Sequence, residues 1–257
     1  MTGYQETFVS HLVELRERLL RAMLAFTGAF VVLFLWPGSG AIYDFLAHPL
    51  MQALPQGAKM IATGVITPFM VPVKVTALVA FMVALPVILF QAWAFVAPGL
   101  YDHEKKLALP IVIASTVLFI IGVAFCYFFV FGTVFRFINE FAPKSITPAP
   151  DIEAYFSFVI TMFLAFGVTF EIPIVVILLV RAGVVSLEKM IEARPYVIVG
   201  AFVVAAVVTP PDVLSQLMLA VPMCLLYEAG LLVARFMGPR PDAASASTGA
   251  PDAKASE

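Results

Sequence analysis

The sequence has very little charge. Only 12% of its 257 residues are charged, whereas 62% are hydrophobic. Soluble domains carry roughly twice this charged share, so a soluble globular protein is excluded. The formal net charge is −2 at pH 7, which lacks the basic excess of a nucleic-acid-binding surface. The composition therefore predicts a protein embedded in the lipid bilayer, with no nucleic-acid partner.

Cysteine and histidine are also scarce. The two cysteines, Cys126 and Cys224, both fall within apolar runs, where a thiol usually acts as a small apolar side chain. The three histidines, His11, His48 and His103, lack the spacing of a metal site. No nucleophile and base pattern and no HExxH-type motif are present. We therefore expect no enzyme activity, no metal and no cofactor.

The sequence contains six apolar runs that are candidate membrane spans. They cover approximately Arg21 to Trp36, Pro72 to Trp93, Leu107 to Phe131, Tyr155 to Val180, Pro195 to Val208 and Val213 to Ala234. The fifth reaches about 20 Å along a helix, against a hydrocarbon core of about 30 Å. The sixth carries Gln216 near its start and Glu228 near its end. We expect an all-α polytopic membrane protein with six transmembrane helices, of which the fifth and sixth are short.

The distribution of lysine and arginine predicts the orientation. Six spans place both termini on the same side of the membrane. If that side is the cytoplasm, few basic residues remain outside: Lys59, Arg136 and Lys144, with Lys74 at a span edge. Cytoplasmic loops carry the excess of basic residues in membrane proteins. We therefore expect cytoplasmic N and C termini.

The segment from Ser10 to Arg21 precedes the first span. Leu12, Leu15 and Leu19 recur at helical spacing, and Ser10 can cap a helix that begins there. We expect residues 10–21 to form a cytoplasmic amphipathic helix that lies on the membrane surface. Its acids and the lack of an A-x-A site argue against a cleavable signal peptide. Glu14 either recognises a basic ligand or forms an ion pair one turn away with Arg18.

The loops and the tail complete the predicted organisation. The first two outer loops, Pro37 to Val71 and Arg136 to Glu153, are rich in proline, and we expect them to form one ordered external cap. Residues 1–236 then make a single membrane domain. From residue 237 the composition changes to alanine, serine, proline, glycine and aspartate. Such a composition cannot bury a core, so residues 237–257 are predicted to be a disordered cytoplasmic tail.

Glu171 is the most informative residue within the predicted spans. It lies ten positions before Arg181, about 15 Å from that helix end, too deep for its side chain to reach bulk water. Pro173 cannot donate a backbone hydrogen bond to the Thr169 carbonyl, which adds polarity at the same depth. A hydrated concavity facing Glu171 would remove the cost of burying it. The alternative is a protonated glutamate that is hydrogen-bonded inside the helix bundle.

Two further polar residues have two interpretations each. Glu104 either contributes to a ligand site or stabilises the N-terminus of the third span behind an Asp102 cap. Gln216 either hydrogen-bonds another membrane helix or bonds back to the turn at Thr209 to Asp212. That turn is short enough to make the fifth and sixth spans a tight helical hairpin.

Five motifs in collinear order resemble the TatC family, the large membrane subunit of the twin-arginine protein translocase. They are Ser10-His11-Leu12-x-Glu14-Leu15-Arg16-x-Arg18-Leu19, Trp93-x-Phe95-x-x-Pro98-x-Leu100-x-x-x-Glu104, Ala165-Phe166-Gly167-x-x-Phe170-Glu171-x-Pro173, Arg194-Pro195-Tyr196 and Thr209-Pro210-Pro211-Asp212-x-x-Ser215-Gln216. Each motif alone is modest. Together they extend from about Ser10 to Phe236, and their combination is specific.

The resemblance implies a receptor in the bacterial cytoplasmic membrane that binds twin-arginine signal peptides of folded proteins. It also implies a homo-oligomeric receptor complex, the single-span partners TatA and TatB, and transport driven by the proton-motive force. The residues it implies for signal-peptide binding are Glu14, Arg16, Pro49, Phe95 and Glu104. Glu171 would match the acid of the membrane concavity, and the residues implied for partner docking are Thr209, Pro210, Asp212 and Gln216.

Two other functions are compatible with the residues alone. A proton-coupled carrier of small solutes would use Glu171 as its titrating group. A scaffold for other membrane proteins would bind partners without preferring an Arg-Arg sequence. Solute flux by the chain alone distinguishes the carrier from a receptor. Discrimination between Arg-Arg and Lys-Lys signals distinguishes a receptor from the scaffold.

Overall fold

The computed structural model describes residues 2–53, 60–96, 105–141 and 149–237, and this part of the chain is helical with no strand. The α-helices are α1 (Thr2–Leu33), α2 (Ser39–Ala53), α3 (Thr67–Val96), α4 (Lys105–Phe125), α5 (Phe131–Phe141), α6 (Ile152–Arg181), α7 (Leu187–Glu192), α8 (Arg194–Val208) and α9 (Val213–Met237). A kink at Trp36, whose backbone is extended, joins α1 to α2, and a single π-helical turn joins α4 to α5. The predicted tail from residue 238 onward and Glu104 lie outside the described residues.

The predicted membrane spans are confirmed, with one correction. Within the described ranges, five helical segments are long and apolar enough to cross a membrane, and α8 is a shorter apolar helix. With 15 residues, α8 is about 22 Å long, as expected for the short fifth span. The sixth helix, α9, is not short, because its 25 residues extend about 37 Å.

The polar residues of α9 do not shorten it because both have partners on α8. The Gln216 side-chain amide donates to the Phe202 carbonyl oxygen at 3.2 Å. Glu228 accepts hydrogen bonds from the Arg194 guanidinium, with both contacts at 2.8 Å. Polar side chains that are satisfied in this way do not interrupt an apolar helix. These contacts also confirm that the fifth and sixth spans form a hairpin.

The N-terminal segment differs from the expectation in where its helix begins. Helix α1 starts at Thr2, eight residues before Ser10, so Ser10 is not its cap. The same helix then continues through residues 10–21 to Leu33. No proline interrupts this stretch, and charged residues such as Glu and Arg are good helix formers. The amphipathic segment and the first span are therefore one continuous helix.

Helix α6 lies at the centre of the bundle and packs against α3, α4 and α9. Glycines allow the closest approaches. A Cβ atom on Gly122 would lie 2.6 Å from the Phe166 carbonyl oxygen, and one on Gly230 would lie 2.9 Å from the Pro173 Cα. A Cβ on Gly167 would enter the Phe119 ring. Small residues thus set the helix spacing, as is common between membrane helices.

Helix α2 is anchored by two tyrosines from neighbouring elements. Tyr127 donates a hydrogen bond to the Phe45 carbonyl oxygen at 3.0 Å, and Tyr155 donates to the Leu46 carbonyl oxygen at 3.2 Å. Pro49 explains the first bond: it has no N–H to donate to Phe45, four residues earlier. The Tyr127 hydroxyl satisfies the carbonyl that Pro49 leaves without a helical partner.

The two loops predicted to form a cap are joined to each other. Ile61 donates its N–H to the Pro150 carbonyl at 3.0 Å and accepts from the Ile152 N–H at 2.9 Å. Asp151 accepts hydrogen bonds from the Thr63 hydroxyl and N–H at 2.7 and 3.1 Å. Lys74 and Glu153 form an ion pair at 2.9 Å in the same region. In the described parts of both loops, the expected ordered layer is present.

Candidate functional site

Glu14 lies on the surface of α1 and forms an ion pair with Arg18. The Arg18 Nε donates to Glu14 Oε1 at 2.9 Å, and Nη2 contacts the same oxygen at 2.5 Å. The Glu14 side chain remains 40% exposed, and Arg16 is also exposed. The ion pair suggested by the residue spacing is therefore present. It leaves the carboxylate accessible from solvent.

Apolar side chains surround this acid on α1. Leu12, Leu15 and Leu19 are all exposed, so the predicted apolar stripe is not covered by the described part of this chain. An exposed carboxylate beside an exposed leucine stripe offers a ligand both a charged and an apolar contact. Exposed apolar surface on this scale usually marks an interaction site or a lipid-facing surface.

Phe95 lies at the same end of the molecule as Glu14. Helices α1 and α3 pack along each other and run in opposite directions as successive spans, so the end of α3 lies near the beginning of α1. Phe95 is partly buried there. Glu104, together with the segment 97–104, falls outside the described residues. The convergence of Glu14 and Glu104 therefore stays a prediction.

Pro49 lies far from Glu14. It belongs to α2, which follows the other end of α1, and the path along α1 from Glu14 to Leu33 alone is about 28 Å. A single site on one copy of the chain therefore does not contain both residues. The local geometry gives Pro49 a structural role, because it directs Tyr127 to the Phe45 carbonyl and so fixes α2.

Glu171 is buried in the C-terminal half of α6. Its exposed fraction is 7%, and neither carboxylate oxygen has a hydrogen-bond partner in the described structure. The Ser115 hydroxyl of α4 faces it without reaching hydrogen-bond geometry. The Ser115 oxygen in turn accepts a hydrogen bond from the Trp93 indole N–H at 3.0 Å. Trp93, Ser115 and Glu171 thus form a polar layer across α3, α4 and α6.

The packing register supports this polar layer. Phe119 of α4 lies against Gly167 of α6, and the two helices run antiparallel as successive spans. Ser115 precedes Phe119 by four residues on α4, and Glu171 follows Gly167 by four residues on α6. Both therefore lie one helical turn from the contact between Phe119 and Gly167. A hydrated concavity at Glu171 requires a change in this packing. It stays a prediction.

Sequence reasoning did not single out Ser115 as part of the site. The sequence feature that could have indicated it is a pair of adjacent polar residues, Ser115 and Thr116, within the apolar part of α4. The Thr116 hydroxyl bonds the Val112 carbonyl of its own helix at 2.8 Å. Only the three-dimensional arrangement shows that Ser115, unlike Thr116, faces another helix.

The residues expected to dock a partner gather at the turn between α8 and α9. The Thr209 hydroxyl bonds the Ala205 carbonyl at 2.8 Å, and the Asp212 carboxylate accepts from the Ser215 N–H at 2.7 Å. Gln216 bonds the Phe202 carbonyl of α8, so it joins two membrane helices of the same chain. Pro210 is exposed at the tip of the turn. The turn is thus held rigid by its own side chains.

Comparison with known proteins identifies the family. The family model described as Sec-independent protein translocase protein (TatC) matches residues 10–222. This chain belongs to the TatC family. It is 50% identical over 237 residues to the Sec-independent protein translocase protein TatC of Haemophilus influenzae, covering 92% of each chain. It is 46% identical over 231 residues to the Escherichia coli K12 protein of the same name, covering 90% of this chain and 89% of the relative.

A solved structure supports the same assignment. The twin arginine translocase receptor TatC is 36% identical, with a TM-score of 0.77, and the match covers 88% of this chain and 98% of that chain. The TatC resemblance of the sequence motifs is therefore confirmed. The chain is a multi-pass membrane component of a protein translocase. Its relatives carry names of transport proteins rather than of enzymes.

Proposed function

We propose that this TatC-family chain is the signal-peptide receptor and core subunit of a twin-arginine translocase in the bacterial cytoplasmic membrane. It binds Arg-Arg signal peptides of folded proteins and recruits the single-span proteins TatA and TatB for export driven by the proton-motive force. The observation that carries the proposal is the accessible Glu14 carboxylate on α1 of a TatC-family chain.

The Glu14 ion pair suits the exchange of one arginine for another. Arg18 already holds the Glu14 carboxylate, and an incoming guanidinium replaces or shares the same type of contact. Guanidinium groups match carboxylates through two parallel hydrogen bonds, which a lysine ammonium cannot reproduce. Glu14, acting with Glu104, therefore distinguishes Arg-Arg from Lys-Lys signals. Arg16 and Phe95 flank this contact at the same end of α1 and α3.

Charge alone does not supply the affinity. An exposed ion pair contributes only about 0 to 1 kcal/mol. Burial of apolar signal residues contributes about 25 cal/mol per Å², and the exposed leucine stripe of α1 is one surface on which it can occur. A signal segment that extends to Glu171 has to displace the side chains that cover this residue. Affinity thus comes mainly from apolar contact, and specificity comes from Glu14.

The orientation and the partner contacts follow from the same proposal. Both termini face the cytoplasm, where α1 presents Glu14 to the signal before export. The external cap contains α2 with Pro49, which holds the outer end of the bundle. The α8–α9 turn, with Thr209, Pro210, Asp212 and Gln216, is the docking region for a single-span partner. A second copy of the chain completes a homo-oligomeric receptor.

Photo-crosslinking tests the receptor function. An Arg-Arg signal peptide with a photoreactive residue should label the membrane-embedded chain, and a Lys-Lys peptide should label it much less. Glu14→Gln should reduce Arg-Arg labelling several-fold, because it removes the carboxylate. Glu17→Gln is the matched control, since Glu17 also pairs with an arginine one turn away, Arg21 at 3.5 Å. Equal labelling of Glu14→Gln and the parent chain would contradict the proposal.

The buried Glu171 favours one alternative function. A carboxyl group with no hydrogen-bond partner in the described structure, at membrane depth, is also a feature of proton-coupled carriers. Such a carrier predicts solute flux in vesicles that contain this chain alone, and Glu171→Gln should abolish it. The receptor proposal predicts no flux without partners. A scaffold, by contrast, would retain partner binding and crosslink Arg-Arg and Lys-Lys peptides equally.

A further inference from the structure

A small pocket lies between α7, α8 and α9. Its volume is about 90 Å³. Its walls are apolar side chains of α7 and α9, namely Leu187, Ile191, Leu231 and Leu232, and its polar rim consists of Arg194, Glu228 and Arg235. None of these residues belongs to the signal-peptide or partner regions proposed above. A pocket with a charged rim and apolar walls matches an amphipathic ligand.

The rim carries one uncompensated positive charge. Both nitrogen contacts of the Arg194 guanidinium go to Glu228, one to each carboxylate oxygen, at 2.8 Å. This fork neutralises Arg194 and occupies both oxygens of Glu228. Arg235 is exposed and makes no ion pair within the described part of the chain. The ligand that balances this rim therefore carries one negative charge. A ligand ammonium group is not favoured, because both Glu228 oxygens already contact Arg194.

The pocket lies at a membrane boundary. Arg194 is the first residue of α8, and Arg235 lies two residues before the end of α9. Both helices cross the apolar layer away from this point, so the rim is at headgroup depth. Because α8 is about 22 Å long against a hydrocarbon core of about 30 Å, lipid headgroups are drawn towards its ends.

We propose that this pocket binds the phosphate of a singly anionic phospholipid, with Arg235 as the main contact. A guanidinium binds phosphate through paired, charge-assisted hydrogen bonds. The pocket volume equals that of about three water molecules, which suits a phosphate group and is far too small for a helix. The adjacent exposed side chain of Leu232 gives the first carbons of an acyl chain an apolar surface. Basic pockets between membrane helices are established lipid headgroup sites.

Native mass spectrometry of the full-length chain in detergent tests this site. The probes are phosphatidylglycerol and phosphatidylcholine with identical acyl chains. We expect the parent chain to retain phosphatidylglycerol preferentially. Arg235→Gln should lower that retention about fivefold, the effect of one arginine at an anionic surface. Arg136→Gln, which removes another exposed arginine on α5, is the matched control and should leave retention unchanged.

Two further variants make the test specific. Arg235→Lys keeps the charge and should restore part of the retention, whereas a defect in folding would not be rescued. Glu228→Gln should raise retention, because it releases Arg194 for the phosphate. The proposal is overturned if Arg235→Gln and Arg136→Gln behave alike, or if both lipids are retained equally. It is also overturned if inorganic phosphate binds at Arg235 and phosphatidylglycerol does not.

Discussion

Helices α1 and α6 are similar in length, and each contains a stretch apolar enough to cross a membrane, but they occupy opposite environments. Half of the residues in the most apolar window of α6 are buried, whereas none is buried in that of the first span. Helix α6 contacts three other long helices, and α1 packs along α3. Helix α6 therefore holds the bundle together, whereas much of the apolar surface of α1 stays exposed.

The two helices also place their acidic side chains in different environments. Glu171 of α6 is enclosed beside Ser115 and Trp93, and its oxygens lack hydrogen-bond partners among the described residues. Glu14 of α1 is accessible and held by Arg18. The surroundings of an enclosed acid change only when the helix packing changes, whereas an accessible acid can contact a ligand directly. We therefore expect substitutions in α6 to change stability and substitutions in α1 to change binding.

The largest contrast is expected between two glycines, one on each helix. Gly167→Leu should destabilise the protein by about 1–3 kcal/mol or more, because its side chain would enter the Phe119 ring. Gly28→Leu is the control on α1: a Cβ there meets nothing within 4 Å, and leucine favours the helix. Thermal unfolding in detergent, followed by circular dichroism, measures both. Similar losses of thermal stability in the two variants would contradict the distinction between the two helices.

A smaller effect is expected from the contact that fixes α2. Tyr127→Phe should cost about 1 kcal/mol, because the Phe45 carbonyl loses its donor and Pro49 cannot replace it. Pro49→Ala in the same background restores an N–H that can reach this carbonyl, so it should recover part of the loss. Tyr196→Phe, at a residue that is 80% exposed, is the control. Additive losses from Tyr127→Phe and Pro49→Ala would contradict this explanation of Pro49.

Acid should loosen the loop layer around Asp151. Hydrogen bonds, chiefly from the Thr63 hydroxyl, hold the pKa of Asp151 below its ordinary value of 3.8. A lowered folded-state pKa contributes stability above the unfolded value, and that stability is lost as the pH falls below about 3.8. Relative to the intrinsic exchange rate at each pH, the protection of the Ile61 and Thr63 amides from hydrogen exchange should therefore fall in acid. Asp151→Asn should weaken this acid dependence, and an unchanged dependence would contradict the assignment.

The smallest effect is expected for the exposed ion pairs of α1. Glu14→Gln and Glu17→Gln should each change the free energy of unfolding by only a few tenths of a kcal/mol, as is usual for exposed pairs one turn apart. Chemical denaturation measures the difference. A loss above about 1 kcal/mol for Glu14→Gln alone would make Glu14 a structural residue. Its effect on signal binding would then be indirect.

Much of the fold is predictable from local sequence. The apolar runs locate the spans, and Pro195 to Val208 matches helix α8 almost residue for residue. Predictions that depended on single residues were weaker. The sequence predicts a helix cap at Ser10, but the helix extends beyond it. The polar residues of α9 predict a short helix, but they pair with α8. Those outcomes depend on contacts between helices, which local patterns do not contain.

The candidate site is only partly predictable for the same reason. Glu14 and Glu171 stand out because acids are rare in and beside apolar runs. The polar layer of Trp93, Ser115 and Glu171 joins residues up to 78 positions apart, and no local spacing indicates it. Pro49 and Glu14 belong to the same predicted residue set, yet the fold places them at different ends of α1.

The sequence alone determined that this chain is a helical membrane protein, because a chain so poor in charge has to satisfy its backbone groups within helices in lipid. Its ordered motifs also determined its family. Tertiary structure alone decided which apolar faces meet protein and which remain open. Lipid tails are as apolar as leucine, so hydropathy cannot separate the buried α6 from the exposed α1. Glycines, tyrosine hydroxyls and paired charges make that distinction, and they act only once distant helices are brought together.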